Sequence, residues 1–367
     1  MDDPVTPLLA PFTYQALIHE VLEIRGNAVR LPEDGAPLNL RPGDWFWAEH
    51  ADSAWPEVAE AAHLLGLRFR ALTEQASDRN EDARTCQLAF AERKALEPIV
   101  ETHLKVCDAL MPRVKTLARV ATLQRSLVDP TEQGIAGHLR QVRETLEFLE
   151  QEHVGTEPES ELADDWLDAH RTCRLRVLLL FALQYQDKLW TWPRGDIDRA
   201  AFEQPTRNGA ELMGLCSGDE GNSELRLVQE YVWRARQRGL TALREEMKEA
   251  MAAAARQRQE EQQDGGDEKV VVCGPFATRP VRPRLAHTLQ QLAAGQLPEE
   301  HYPRCAADES TEAVAVPRSA IVFVLGGVTY EEARLVHALN MEAGSTTRVT
   351  LGGEFVTSAR QFLRTLG

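Results

Sequence analysis

Ile321-Val322-Phe323-Val324-Leu325-Gly326-Gly327-Val328-Thr329-Tyr330-Glu331-Glu332 is the stretch that decides the fold. Its first five residues are apolar, uncharged and rich in β-branched and aromatic types, so they read as a short strand. The run is continuous rather than alternating, which predicts a strand buried on both faces, as in parallel sheets. Gly326-Gly327 turns the chain, and a helix follows over Tyr330 to Met341. The unit then repeats: Arg348-Val349-Thr350-Leu351, Gly352-Gly353, and a helix from Thr357 to Leu366. Two successive strand–glycine–helix units imply adjacent parallel strands joined by a right-handed crossover.

The other end of the chain supplies a matching piece. Pro4-Val5-Thr6-Pro7-Leu8-Leu9 is extended, because two prolines forbid helix there. Thr13 caps a helix whose Tyr14, Leu17, Ile18, Val21 and Leu22 form one apolar stripe, and Gly26-Asn27 is expected to end it. Residues 31–43 are rich in Pro and Gly and read as a connection with short extended pieces. The expected fold class is α/β plus mostly α. An incomplete parallel-sheet α/β domain is formed by both chain ends, 1–45 and 281–367, with a helical domain, 46–280, inserted between them. An α/β layer needs its helix stripe covered by the sheet, so Leu17, Val21, Ile321, Phe323 and Leu325 are expected in one shared core.

Within the insert, Pro56 suits a first helical position, and Val58, Ala61, Ala62, Leu65, Phe69 and Leu72 make one apolar face. Ser77-Asp78-Arg79-Asn80-Glu81-Asp82 reads as an exposed tip. A second helix carries Leu88, Leu96, Val100, Leu104, Cys107 and Leu110, and Pro98 and Pro112 are expected to kink or divide it. Residues 53–108 therefore form a helical hairpin. Asp129-Pro130-Thr131-Glu132 starts a further helix. Arg174 to Tyr185 is apolar nearly all round and is expected to be the most buried helix. Residues 223–262 form a long helical pattern that loses its apolar face from Ala250 to Gly266 and runs into a linker.

Composition narrows the function. The chain has 367 residues, 43% hydrophobic and 27% charged, with a net charge of −16 from 41 basic and 57 acidic residues. That balance argues against a general nucleic-acid binder, which needs a basic footprint, and against adhesion to anionic lipid. The longest pure apolar run, Val177 to Leu183, is too short to cross a bilayer. The start has no basic region followed by an apolar core, so no secretory signal is expected. Six cysteines (Cys86, Cys107, Cys173, Cys216, Cys273, Cys305) have neither zinc nor redox spacing, which suits a reducing, cytosolic compartment.

No motif points to chemistry. Thr329-Tyr330-Glu331-Glu332 is a capping box, and the neighbouring glycines fit a tight turn. A phosphate loop would need GxGxxG or GxxxxGK[ST], and neither is present. His301 and Cys305 lack a second liganding pair, so no metal is expected. There is no GxSxG, HExxH or CxxC. Trp45, Trp47, Trp190 and Trp192 read as core or seam residues rather than base-stacking platforms. Catalytic, cofactor and metal sites are therefore all expected to be absent.

Four segments together resemble the Sec-one/Munc-eighteen (SM) family of SNARE regulators, most closely its vacuolar-sorting, endosomal branch. Asp3-Pro4-Val5-Thr6-Pro7-Leu8-Leu9 and Thr13-Tyr14-Gln15-Ala16-Leu17-Ile18-His19-Glu20 resemble the family's D-P-x-T-P-L-L and T-Y-Q-A-hydrophobic-x-H-E. Arg174-Leu175-Arg176-Val177-Leu178-Leu179-Leu180-Phe181-Ala182-Leu183-Gln184-Tyr185 is similar to its R-L-hydrophobic-L-L-Y-A-L-R-Y helix. Gly295-Gln296-Leu297 with His301-Tyr302-Pro303 is like its L-x-x-G-x-L…D-Y-P. Phe323 to Arg334, followed by Leu351-Gly352-Gly353, resembles its closing signature. The departures are a missing N-terminal part, including the lobe that commonly receives the syntaxin N-terminal peptide, and Phe90-Ala91-Glu92 where the family has an aromatic-Pro-Glu step. Residues 187–282 match poorly.

The resemblance implies a non-enzymatic chaperone that binds a syntaxin-type SNARE or SNARE bundle and promotes vesicle docking and fusion on an endosomal or vacuolar route. It would be cytoplasmic and reach endosomal, Golgi or vacuolar membranes only through its partners. The implied partner-binding residues lie on the hairpin: Arg68, Arg70, Arg79, Arg84, Gln87 and Lys94. Two other readings are a nucleotide-binding α/β enzyme and an inactive, truncated paralogue. In the truncated case the lost strand would leave an unpaired edge and a less stable chain.

Overall fold

The computed structural model describes residues 5–11, 13–31, 37–40, 43–78, 82–128, 134–154, 163–191, 205–216, 219–237, 283–298, 300, 302–303, 317–342 and 347–365. The described residues are mostly helical, with two small sheets among them. A buried 3-10 turn, Thr6–Leu8, precedes α1 (Tyr14–Val21). Then come β1 (Glu23–Arg25), β2 (Ala28–Arg30) and β3 (Leu38–Asn39), which form an antiparallel sheet in that order. α1 thus ends at Val21, before the expected Gly26-Asn27. That pair instead makes the β1–β2 hairpin turn, where Gly26 adopts φ 61°. A two-residue turn of this kind needs positive φ, which suits Gly and Asn.

Next come α2 (Trp45–His50), α3 (Trp55–Ser77) and α4 (Ala83–Val128). α4 is one continuous helix of 46 residues, on the order of 70 Å long. Pro98 and Pro112 sit inside it without dividing it, so of the expected kink or division the division does not occur. Both prolines are exposed, so the carbonyls they orphan face water, and the buried residues between them keep the helix seated. α5 (Ile135–Val154), α6 (Ala163–Leu189), α7 (Arg207–Leu215) and α8 (Asp219–Gln237) complete the helical body. The expected helix start at 129–132 and the pattern beyond 237 lie outside the described residues.

α6 is the centre of the body, as its apolar surround predicts. Val177 through Leu183 are at most 1% exposed. A non-helical Tyr185 (φ −117°, ψ 20°) breaks its last turn. Arg174 ties α6 to its neighbours: it donates from Nε to Glu224 and from Nη1 to Glu150, each at 2.8 Å, and from Nη2 to the Leu215 carbonyl at 3.2 Å. A single apolar core runs from Val5, Leu8, Leu17 and Ile18 through α2–α8 to Phe362 and Leu363.

The C-terminal part contains α9 (Arg284–Ala293), β4 (Ser319–Val324), α10 (Tyr330–Met341), β5 (Arg348–Gly353) and α11 (Ala359–Arg364). β4 and β5 pair in parallel, Ser319 with Arg348 through Val324 with Gly353, as the repeated unit predicts. A second, small core holds Leu289, Val336 and Val349, with Val322, Leu339 and Leu351 packed against it.

The shared core expected for Leu17, Val21, Ile321, Phe323 and Leu325 does not exist. Leu17 and Val21 pack in the helical core, while Ile321, Phe323 and Leu325 are 83%, 57% and 74% exposed. β4 alternates exposed and half-buried positions because, among the described residues, helices cover only one side of it. An apolar run records the character of both faces, not what covers them. Among the described residues, the parallel sheet draws no strand from the N-terminal end.

The two ends of the chain nonetheless meet. Glu20 at the end of α1 accepts from Arg176 Nη2 at 2.6 Å and from the Ala359 amide at 2.9 Å. One carboxylate therefore bridges α1, α6 and α11. His19 Nε2 lies 3.3 Å from the Val356 carbonyl, and its ring meets Tyr330 edge-on with centroids 4.7 Å apart.

Candidate functional site

The expected hairpin is present as α3 and α4, and its root is held by a buried polar chain. His103 on α4 lies between Tyr14 Oη, 3.0 Å from Nδ1, and Asp44 Oδ2, 2.9 Å from Nε2. The carboxylate can only accept, so Nε2 carries the proton and Nδ1 accepts from the tyrosine. Asp44 Oδ1 caps α2 by accepting from the Trp47 amide at 3.1 Å. Burial holds the His103 imidazole below its usual value and outweighs the pull of Asp44. Burial also raises Tyr14 well above the phenol range and pushes the neighbouring Cys107 thiol up to about 11. A fully satisfied chain of this kind fixes α1, α2 and α4 to one another.

Above the root, Val58, Ala62, Leu65 and Leu72 of α3 face Ala89, Leu96 and Val100 of α4, and all seven are buried. At the tip, Asp82 accepts from the amides of Arg84 and Thr85 at 2.9 and 3.0 Å and from Thr85 Oγ1 at 2.6 Å. Those bonds, the Thr85 hydroxyl first, hold its carboxyl below the usual range. Cys86 Sγ donates to the Asp78 carbonyl at 3.4 Å and draws the two helices together.

The outer surface carries Arg68, Arg70, Arg84, Gln87 and Lys94, all exposed, together with apolar side chains. Arg68 pairs with Glu92 across the hairpin. Leu64 lies one turn from Arg68 and Leu88 one turn from Glu92, so both leucines flank that ion pair. Leu64 and Leu88 are 56% and 64% exposed. Arg84, Gln87 and Lys94, spaced i, i+3, i+10, share an exposed stripe of α4 opposite its buried seam. Arg70 sits two residues, about 200°, around α3 from Arg68. Nearby, Arg93 lies over the Phe69 and Phe90 rings, at 5.8 and 5.5 Å from their centroids.

The structure therefore places Arg84, Gln87 and Lys94 on one stripe of α4 and Arg68 and Arg70 on different sides of α3, and Arg79 lies outside the described residues. Arg70, Arg84 and Lys94 are exposed and have no ion-pair partner among the described residues. Sequence reasoning missed exposed Leu64, Leu67 and Phe90, and it assigned Leu88 to the apolar seam. Leu64 and Leu67 stand off the Val58–Ala62–Leu65–Leu72 stripe, so their spacing was the available signal.

The α10 N-terminus is filled by its own capping box: the Glu332 amide donates to Thr329 Oγ1 at 3.2 Å, and Glu332 Oε2 accepts from the Thr329 amide at 2.7 Å. The chain's own Glu332 carboxylate thus satisfies the Thr329 amide. Gly327, at φ 100°, lies where a Cβ would meet the Phe355 ring at 2.9 Å, so it serves the turn. Among the described residues there is no group of three His, Cys, Asp or Glu placed to hold a metal. Likewise, no helix among them is long and apolar enough to cross a membrane. Trp190 is buried and Trp47 half-buried, while Trp45 is exposed; Trp192, His301, Cys273 and Cys305 lie outside the described residues.

Comparison with known proteins gives a consistent picture. The family model described as Sec1 family matches residues 1–365. Vacuolar protein sorting-associated protein 45 of Dictyostelium discoideum is 24% identical over 375 residues, covering 100% of this chain and 58% of the relative. The Homo sapiens protein of that name is 26% identical over 381 residues, with coverages of 99% and 57%. This chain thus spans a little over half the length of these relatives. Among solved structures, the SM protein Vps45 in complex with the Qa SNARE Tlg2 superposes with a TM-score of 0.66 at 22% identity, over 99% of this chain and 57% of that one. The Unc18–syntaxin 1 complex from Monosiga brevicollis gives 0.57 at 16% identity, over 99% and 58%. At these identities the likeness is one of fold.

Proposed function

The chain belongs to the Sec1 family, and from that premise we propose that it binds a syntaxin-type SNARE, alone or in an assembled bundle, and regulates vesicle docking and fusion. Its action is that of a non-enzymatic chaperone on an endosomal or vacuolar route. It is cytoplasmic and contacts endosomal, Golgi or vacuolar membranes through its partners. In this reading, 1–45 and 281–367 are pieces of one α/β domain and 46–280 is a helical insert. The Ala359 amide donating to Glu20 and the His19 contact with the Val356 carbonyl join the two ends, while α1 itself packs in the helical core. The relatives' solved complexes with Tlg2 and syntaxin 1 support the choice of partner.

The observation that carries the proposal is the hairpin. Its inner seam is filled and its root fixed, yet its outside presents Leu64, Leu67, Leu88 and Phe90 to solvent. A SNARE helix is amphipathic and reads such a surface through apolar anchors at helical spacing. Arg70, Arg84 and Lys94 then select acidic partners and speed encounter, each contributing a few tenths to about one kcal/mol. Arg68 contributes less, because Glu92 already engages it.

The test is titration of residues 1–367 against a panel of SNARE helical domains. Leu64→Asp with Leu88→Asp should weaken binding to the cognate helix by roughly ten- to a hundredfold, as for interface anchors. Arg70→Glu with Arg84→Glu and Lys94→Glu should mainly reduce the association rate and its salt dependence. If neither set changes a measurable affinity, the hairpin is not the recognition surface. If no SNARE helix binds at all, the inactive-paralogue reading stands.

A further inference from the structure

Tyr14 holds both feet of the hairpin. Its amide donates to the Ser53 carbonyl at 3.0 Å, just before α3 begins, and its hydroxyl donates to His103 Nδ1 on α4 at 3.0 Å. His103 in turn donates to Asp44 Oδ2, and the other oxygen of that carboxylate caps α2. Tyr14 and His103 are 0% exposed and Asp44 7%, so each relies on the others for its hydrogen bonds. Above this joint, α3 and α4 seal each other through Leu65, Leu72, Ala89 and Leu96, so the hairpin moves as one piece. From His103 back to Ala83 is roughly 20 residues of helix, about 30 Å, so a tilt of roughly 10° at the root carries the tip about 5 Å.

The joint is sensitive to protons because His103 uses its two ring nitrogens in opposite roles. Nε2 donates to Asp44 and Nδ1 accepts from Tyr14. A proton from solvent added at Nδ1 makes both nitrogens donors. Tyr14 Oη must then accept, and its own hydroxyl proton must turn away from the ring. The neighbouring group that could take it is the Cys107 sulfur, a weak acceptor. The groups facing His103 are Tyr14 from α1, Asp44 and His50 from the α2 segment and, through Tyr14, Cys107 from α4 itself. α3 adds the Trp55 ring, 6.5 Å from that of Tyr14. Phe46 stands between the two imidazoles, 4.5 Å from His103 and 4.6 Å from His50. Burial opposes the imidazolium most, a proton on His50 adds to that, and Asp44 favours it. A seated root therefore disfavours the protonated ring, and a tilted root that wets it favours it.

We propose that Tyr14, His103 and Asp44 form a proton-operated joint: with His103 neutral the hairpin is seated at one angle, and protonation at Nδ1 releases it to tilt as a unit. The inference rests on the hairpin being the recognition surface for its consequence alone, that SNARE binding follows pH. The motion itself is independent of that reading.

The test replaces exposed Gln75 near the tip and exposed Glu147 on α5 by p-acetylphenylalanine, attaches nitroxides to the ketones and measures their separation by double electron–electron resonance. Samples are compared at about pH 7.5 and 5.5, on either side of the ordinary histidine value. One narrow distance is expected at the higher pH, and a second population displaced by about 5 Å or more at the lower. His103→Gln offers Asp44 a donor and Tyr14 an acceptor without titrating, so it should hold the first distance at both. A wild-type distance that does not change overturns the proposal, whether or not the variant folds. So does a shift that persists in folded His103→Gln, or a loss of helical circular dichroism at the lower pH in place of a tilt. Titration with SNARE helical domains is a separate arm. A tilt with no SNARE bound at either pH leaves the joint standing and removes the recognition reading.

Discussion

Replacing Glu20 by Ala should destabilise the chain by about 3–5 kcal/mol, the cost of leaving a buried charge uncompensated. Arg176 is 0% exposed, and its Nε and Nη1 have no hydrogen-bond partner, so the Nη2 bond to Glu20 is its main compensation. The same substitution strands the Ala359 amide, which now donates to Glu20 Oε2. A low-dielectric site strengthens the pair but makes each lone member costly.

Three variants separate these contributions. Glu20→Gln keeps a hydrogen-bond acceptor and loses the charge, so it should fall between wild type and Glu20→Ala. Arg176→Met removes the buried cation and leaves Glu20 its bond from the Ala359 amide, so it should cost less than Glu20→Ala. The double variant should be far less unstable than the sum of the two singles, with a coupling of about 2–3 kcal/mol. Urea unfolding followed by circular dichroism measures all four proteins. A cost below about 1 kcal/mol for Glu20→Ala, or strict additivity in the cycle, would refute the keystone role.

Other expected outcomes test separate parts of the fold. Burial holds the His103 imidazole below its usual value, so the native state binds fewer protons than the unfolded chain. Its contribution is therefore full above the unfolded pKa of about 6.5 and falls as pH drops below it. Burial lowers His19 and His138 as well, so all three act in the same direction. His103→Gln should reduce, but not abolish, the acid-side slope in urea midpoints measured between about pH 7.5 and 5.5; an unchanged slope would count against the buried-imidazole account. Leu179→Ala, at a 0% exposed site in α6, should cost about 2–5 kcal/mol. Phe323→Ala, on the open sheet face, should cost under about 1 kcal/mol, and chemical denaturation distinguishes the two. Gly327→Ala should destabilise by about 1–3 kcal/mol, since φ is +100° and the new Cβ meets Phe355 at 2.9 Å; an unchanged thermal midpoint would show that the loop relaxes freely.

Local periodicity made several elements legible in the sequence. The stripe over Tyr14 to Val21, the hairpin seam and the apolar surround of Arg174 to Tyr185 each specify an element through residues a few positions apart. The two strand–glycine–helix units correctly implied a parallel pair. What periodicity does not carry is whether a complementary surface is present. Ile321-Val322-Phe323-Val324-Leu325 is apolar on both faces, yet among the described residues only the Val322 and Val324 side is covered, by α9 and α10. The same limit applies to the site: Arg68 looked free because Glu92, 24 residues away, is invisible to spacing, and Leu88 read as a seam residue although it is 64% exposed and the adjacent Ala89 takes the buried position. Pro98 and Pro112 failed as helix breaks for a related reason. Packing by neighbouring helices outweighs the loss of one hydrogen bond per proline when the orphaned carbonyl reaches water. The strongest sequence signal therefore comes from residues that solve local and distant constraints at once. Glu20 is the clearest case, since one side chain in the T-Y-Q-A-L-I-H-E helix serves both a buried arginine and the amide opening the last helix. A residue bound by two such demands has few substitutes, whereas the hairpin exterior answers only to its partner.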